Sequence, residues 1–219
     1  MSGNSNLQSQ IEILEALGHK SRTLLNGITG PVQIIRSLSD EPGLIEPLRI
    51  LELSVTRFDK FSYRALLLSD LLRNSKAISP KTFDFVDVFR YMILDLTDLL
   101  DFYNIKIELQ NDKTPLEISA DFDLLSHCMM ILFEHAISLC QGGSTISAEF
   151  HQSDNQVECK LLCFDNGFVY KTLNPIFNTI EPPSDIELYL LKFGSEVLKN
   201  RYSFSLSSKN QTIIQLKLS

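Results

Sequence analysis

Two stripes of apolar and small residues limit what this chain can fold into more than any other feature. Ile11, Leu14, Gly18, Ser21, Leu25, Ile28, Val32 and Ile35 follow one another at alternating steps of three and four. Leu44, Leu48, Leu51, Val55, Phe58, Ser62, Ala65, Ser69 and Leu72 repeat the pattern. Such a seam runs along one face of a helix and requires another helix opposite it. Between the stripes lies SDEPGLIEP (39–47), a turn by its Pro and Gly content. The two segments therefore predict an antiparallel helical hairpin. Leu53, Leu67 and Leu71 widen the buried face of the second helix. A lone hairpin cannot cover that surface, so two copies of the chain are expected to pair as a four-helix bundle. Packing against the chain's own C-terminal half is the alternative.

The pattern changes after SKAISPKT (75–82), a polar linker with Pro80, which divides the chain into 1–76 and 77–219. Residues 83–103 read as an aromatic-rich strand or helix entry continuing as an amphipathic helix. IKIELQ (105–110) and LEISA (116–120) alternate as strands. Residues 121–141 read as a helix, with Asp121 as N-cap and Gly142-Gly143 as the stop. STISAEFHQ and QVECKLLCF form a hairpin around Ser153–Asn155. A loop containing Pro175, Pro182 and Pro183 is expected next, then a helix from Asp185 to Asn200 and the strands YSFSLSS and TIIQLKLS. The fold class is thus α+β, with an N-terminal helical hairpin and a C-terminal α/β sandwich of one helical layer over one sheet.

A net charge of −7 argues against nucleic acid or an anionic membrane as the main partner. No apolar run is read as spanning a bilayer, and MSGNSNLQSQ lacks the basic-then-apolar order of a signal peptide. The four cysteines, at 128, 140, 159 and 163, have no CxxC spacing and are read as reduced core thiols of a cytoplasmic protein, with no metal site.

Within the first stripe stands His19-Lys20-Ser21-Arg22-Thr23-Leu24-Leu25-Asn26-Gly27-Ile28. This stretch resembles the HELRTPLNGI phosphoacceptor box of two-component histidine kinases, and the order of elements over about residues 8–219 resembles that family's catalytic core. The resemblance makes His19 the phosphoacceptor. His19 lies one residue past a seam position, so it is expected on the solvent-facing flank of the bundle.

The departures from the family matter equally. The acid that follows the family's histidine is Lys20 here, which cannot take a proton while charged. Ile131 and His135, in ILFEHA, stand where the family's asparagines hold metal and nucleotide. The DxGxG box reads Asp165-Asn166-Gly167-Phe168-Val169 and lacks its second glycine; it is either a remnant adenine pocket or a simple turn. The GLGL box is replaced by Ile186-Glu187-Leu188-Tyr189, and the lid is cut to a short loop. A phosphate cradle needs glycine-exposed amides, and magnesium needs oxygen ligands. ATP binding is therefore expected to be lost. Glu134, His135, His127 and His151 carry no further pattern.

A kinase-like fold with a reachable histidine and no ATP site resembles the dimeric histidine phosphotransferases. The resemblance implies transfer between receiver-domain aspartates with no cofactor of the chain's own, the magnesium coming from the receiver. Free imidazole, with a pKa of roughly 6.5, is mostly neutral near pH 7 and can attack phosphorus. Lys20 and Arg22 are placed to pair with the phosphoryl oxygens. Thr23 matches the position that, in phosphatase-active kinases of the family it resembles, helps place a water on the receiver's phosphoaspartate. The hairpin register sets Ser62 to Leu66 opposite His19, so a docked receiver is expected to meet Arg22, Leu25, Asn26 and Tyr63. Two alternatives stay open: a scaffold that docks a kinase or receiver without carrying phosphate, and an ATP-using kinase with an unusual site.

Overall fold

The computed structural model describes residues 2–38, 41–73, 77–112, 114–153, 156–179 and 185–218. The chain divides into two compact units, Met1–Ala77 and Ile78–Ser219.

The first unit is a hairpin of α1 (Ser2–Leu38) and α2 (Pro42–Leu72). The turn is shorter than the sequence suggests. Pro42 opens α2 at its first position, where a missing N–H costs nothing, and Pro47 falls inside the same helix. The expected turn residues Ser39 and Asp40 lie outside the described residues. The pairing is antiparallel: Arg36 bonds Glu52 near the turn, Ser69 Oγ donates to the Ile11 carbonyl (3.4 Å), and Arg73 bonds Glu15 at the far end. Seam residues Ile11, Gly18, Leu25, Val32, Ser62, Ala65 and Ser69 are buried, as are Leu67 and Leu71 of the second row. Seam residues Ile28, Ile35, Leu44, Leu51 and Phe58 are exposed, each at 40–48%.

The second unit is a mixed α+β sandwich. β1 (Pro80–Asp84) pairs antiparallel with β3 (Glu117–Asp121) as a separate two-stranded sheet. The larger sheet comprises β2 (Lys106–Gln110), β4 (Thr145–Ser153), β5 (Gln156–Phe164), β6 (Arg201–Leu206) and β7 (Gln211–Leu218), in the order β2-β4-β5-β7-β6. In this sheet β2 and β4 run parallel and the other described pairs antiparallel. Alternation decides which face is covered: Val157, Cys159, Leu161 and Cys163 of β5 are buried, as are Ile214, Leu216 and Leu218 of β7.

Helices α3 (Phe85–Asp95), α4 (Thr97–Tyr103), α5 (Phe122–Leu139), α6 (Phe168–Asn178) and α7 (Ile186–Val197) complete the unit. Three start on an aspartate that satisfies a first-turn N–H: Asp84 accepts from Val86, Asp121 from Leu124 and Asp185 from Leu188. Asn104, in the left-handed region at φ 54°, ends α4. Between α3, α5 and β4 the rings of Phe89, Phe133 and Phe150 meet edge-on at centroid distances of 4.8 and 5.1 Å. α5 is long and apolar enough by composition to cross a membrane, unlike the expectation that no run reaches that length. Its apolar residues, among them Leu124, Leu125, Met129, Ile131, Leu132 and Phe133, fill the core instead.

Several boundaries differ from the sequence reading. Residues 83–103 form the end of a strand and two helices, broken at Leu96, rather than one helix. Of the expected linker 75–82, residues 80–82 belong to β1, which is held by pairing with β3, and residues 75 and 76 lie outside the described residues. Asn200 is not helical, since α7 stops at Val197. Pro175 lies inside α6, not in a loop: Val169 and Leu173, one turn apart, are fully buried and hold the helix despite the lost backbone bond. Pro182, Pro183, Asp154 and Asn155 lie outside the described residues.

Candidate functional site

His19 is exposed in the middle of α1. Gly18, beside it, marks a close approach of the two helices. A Cβ on Gly18 would meet Leu66 Cγ at 2.6 Å and the Ser62 carbonyl at 3.1 Å. That contact fixes the register and sets Ser62 and Leu66 of α2 against this turn of α1. Arg22 lies one helical turn on from His19, on the same side. Its Nε is 3.7 Å from Asp59 Oδ1, and its guanidinium stands 5.6 Å from the centre of the Tyr63 ring. The carboxylate and the ring together hold a half-exposed cation near the histidine.

The other site residues read from the sequence fall as follows. Lys20 and Asn26 are exposed, and Tyr63 is half-buried. The Thr23 hydroxyl donates to the His19 carbonyl (3.0 Å), tying it to its own helix. Leu25 is 4% exposed. It belongs to the helix–helix seam, and its expected place on a docking surface is corrected on that ground. Sequence reading missed Asp59; only the hairpin register brings it to Arg22.

In the second unit, Asp165 is buried and fully used. Its Oδ1 accepts from Gly167 N (3.2 Å) and Thr212 N (3.1 Å), its Oδ2 from Val169 N (2.6 Å) and Thr212 Oγ1 (2.7 Å). Asn166 and Gly167 take positive φ, 53° and 79°, and the chain enters α6 at Phe168. Asp165 thus ties a tight turn to β7 and to the start of α6. Ile131 is fully buried in α5.

Two ligand-type residues from the start of α7 reach toward α5. One ligand atom each of His135, Asp185 and Glu187 lies within 4.8 Å of the others. This is the one such group of three among the described residues. The sequence shows His135 in place of one of the family's asparagines but does not single out the two acids as ligands. Their approach depends on the packing of two helices far apart in the chain.

No family model and no curated protein matches the sequence. Solved structures do match. The Acinetobacter baumannii histidine kinase AdeS aligns over 92% of this chain and 95% of its own, at 16% identity and a TM-score of 0.60. The mycobacterial sensor histidine kinase MprB aligns over 64% of this chain and 97% of its own, at 15% identity and a TM-score of 0.53. Full-length ShkA in complex with AMPPNP aligns over 94% of this chain and 45% of its own, at 15% identity and a TM-score of 0.59. At these identities the likeness is one of fold: the mixed α+β sandwich resembles that of histidine-kinase ATPase domains.

Proposed function

We propose that this chain is a histidine phosphotransferase of a phosphorelay. It carries a phosphoryl group between receiver-domain aspartates on His19, as a cytoplasmic homodimer and without binding ATP. The observation that carries the reading is an exposed His19, in a stretch resembling a phosphoacceptor box, with a positioned Arg22 one turn away. The fold shared with histidine kinases supports a two-component setting. The exposed seam residues Ile28, Ile35, Leu44, Leu51 and Phe58 support a second copy of the hairpin as the missing cover.

In transfer, a neutral imidazole nitrogen attacks phosphorus in line with the aspartyl oxygen. The N–P bond forms, the O–P bond breaks and the receiver recovers a free carboxylate. On this chain the Arg22 guanidinium would pair with the phosphoryl oxygens, with Lys20 a further exposed cation, and a magnesium ion brought by the receiver would supply the remaining countercharge. Such a transfer needs no base on this chain, so Lys20 in place of an acid is no obstacle.

A magnesium-nucleotide fits the second unit poorly. Ile131 offers no oxygen ligand, and both Asp165 oxygens are already saturated by internal donors. Ile186-Glu187-Leu188-Tyr189 also brings no glycine to the start of α7.

The test is to mix the purified chain with phosphorylated receiver domains and follow label onto the wild type and His19→Ala. The reading requires label on the wild type alone. Tight receiver binding with no transfer would replace it by the scaffold reading.

A further inference from the structure

We propose that His135, Asp185 and Glu187 form a binding site for a divalent transition-metal ion. The site makes no use of His19, so the proposal stands or falls apart from the phosphotransfer reading.

An imidazole and two carboxylates come together from two elements. His135 sits in the last turns of α5, Asp185 caps α7 and Glu187 lies in its first turn. Their ligand atoms lie within 4.8 Å of one another. Acids at the start of α7 are ordinary helix-start chemistry, since they complement its free N–H groups. That explains two of the three residues. It supplies no reason for an imidazole from another helix to face them. Asp185 also has an oxygen to offer: Oδ1 accepts the Leu188 N–H at 2.9 Å, which fixes the carboxylate and leaves Oδ2 for a cation.

The two helices are packed so that this arrangement is held. A Cβ on Gly194 of α7 would meet Cys128 Sγ of α5 at 2.6 Å and Leu124 Cδ1 at 3.1 Å, so the helices touch almost backbone to side chain. Leu190 and Leu191 of α7 and Ala136 and Ile137 of α5 are fully buried. The ligands therefore project from packed elements. Around a zinc ion with ligand bonds of about 2.1 Å, tetrahedral ligand atoms stand roughly 3.4 Å apart.

Donor chemistry narrows the ion. One imidazole nitrogen with two carboxylate oxygens suits zinc, iron, cobalt or manganese better than magnesium, which prefers oxygen alone. Two carboxylates balance a dication. Three protein ligands would leave a position open, which water or an anion could complete, and Asp185 is exposed to solvent.

The test uses the full chain, stripped with a chelator, and Co²⁺ as a visible-absorbing probe, with Zn²⁺ in competition and in calorimetry. The expected result is one saturable equivalent, with d–d bands and no thiolate-to-metal charge transfer. His135→Gln, Asp185→Asn and Glu187→Gln should each weaken binding by about tenfold or more, since even an outer-shell loss costs about 10–100-fold. Asp185→Asn keeps the cap, because Asn caps as well as Asp, so it reads ligation even if the His135 variant misfolds. Zn²⁺ should raise the melting temperature of the wild type and not of the variants. The proposal is overturned by no saturable binding up to millimolar metal, by affinity that survives all three substitutions, or by thiolate bands that assign the ion to cysteine.

Discussion

The contact at Gly18 sets the helix register beside His19, and Gly18→Ala tests it. In an isolated helix the substitution would stabilise, because Ala exceeds Gly in helix propensity by about 0.8–1 kcal/mol. Here the added Cβ would lie 2.6 Å from Leu66 Cγ and 2.9 Å from its Cδ2, with the Ser62 carbonyl at 3.1 Å. Leu66 is only half-buried and can rotate, but its Cγ is a branch point, and the carbonyl is backbone. Overpacking of this kind costs about 1–3 kcal/mol. The net expectation is a loss of roughly 1 kcal/mol. Removing the obstruction should reverse the sign: in a Leu66→Ala background, Gly18→Ala should stabilise by up to about 1 kcal/mol. Amide hydrogen exchange across α1 and α2, at fixed protein concentration, reads the local free energy without requiring both units to unfold together. Gly18→Ala stabilising both backgrounds equally would refute the close approach and the register built on it.

Three further outcomes are expected. Asp165→Ala strands four donors around a buried turn and should cost about 3 kcal/mol, read as faster exchange in α6 and β7, while Thr212→Val should cost less; an effect below about 0.5 kcal/mol would show the turn needs no carboxylate. The Cys163 thiol is held up by its hydrogen bond with Cys140 and then by burial, and the Cys159 thiol by burial, both from an ordinary value near 9.0. With folded values above unfolded ones, that stability is complete below the ordinary value and falls as pH rises past it, by about 1.4 kcal/mol per pH unit for each thiol, so denaturant unfolding at rising alkaline pH should show a slope that Cys159→Ala reduces. Leu51→Asp with Val55→Asp should abolish pairing of hairpins, and a wild type that sediments as a monomer at micromolar concentration would contradict the dimer.

Much of this fold is legible because its periods are clean. The α1 and α2 seams, the start of α5 at its Asp121 cap, and the β4–β5 hairpin all follow from spacing and caps, although α5 stops at Leu139, before the expected Gly142. What was illegible was decided by packing. α6 looks like a loop because of Pro175, yet burial of Val169 and Leu173 outweighs one lost backbone bond. β1 looks like linker because its partner, β3, lies more than thirty residues on. At the candidate site, His19 and Arg22 show in the sequence as a motif. Asp59 does not, because it enters only through the hairpin register, and Leu25 reads equally as seam or surface until its burial is known. The His135 group is hidden for the same reason, since no local pattern links α5 to the head of α7.

Single-turnover transfer from a phosphorylated receiver, with the modified residue located by mass spectrometry under conditions that preserve phosphoramidates, tests the central claim most directly. The account predicts an acid-labile phosphoryl group on His19, absent from His19→Ala although that variant still binds the receiver, and a loss of transfer to Arg22→Glu larger than its loss of stability. Label on a different residue, or equal labelling of His19→Ala, would contradict it.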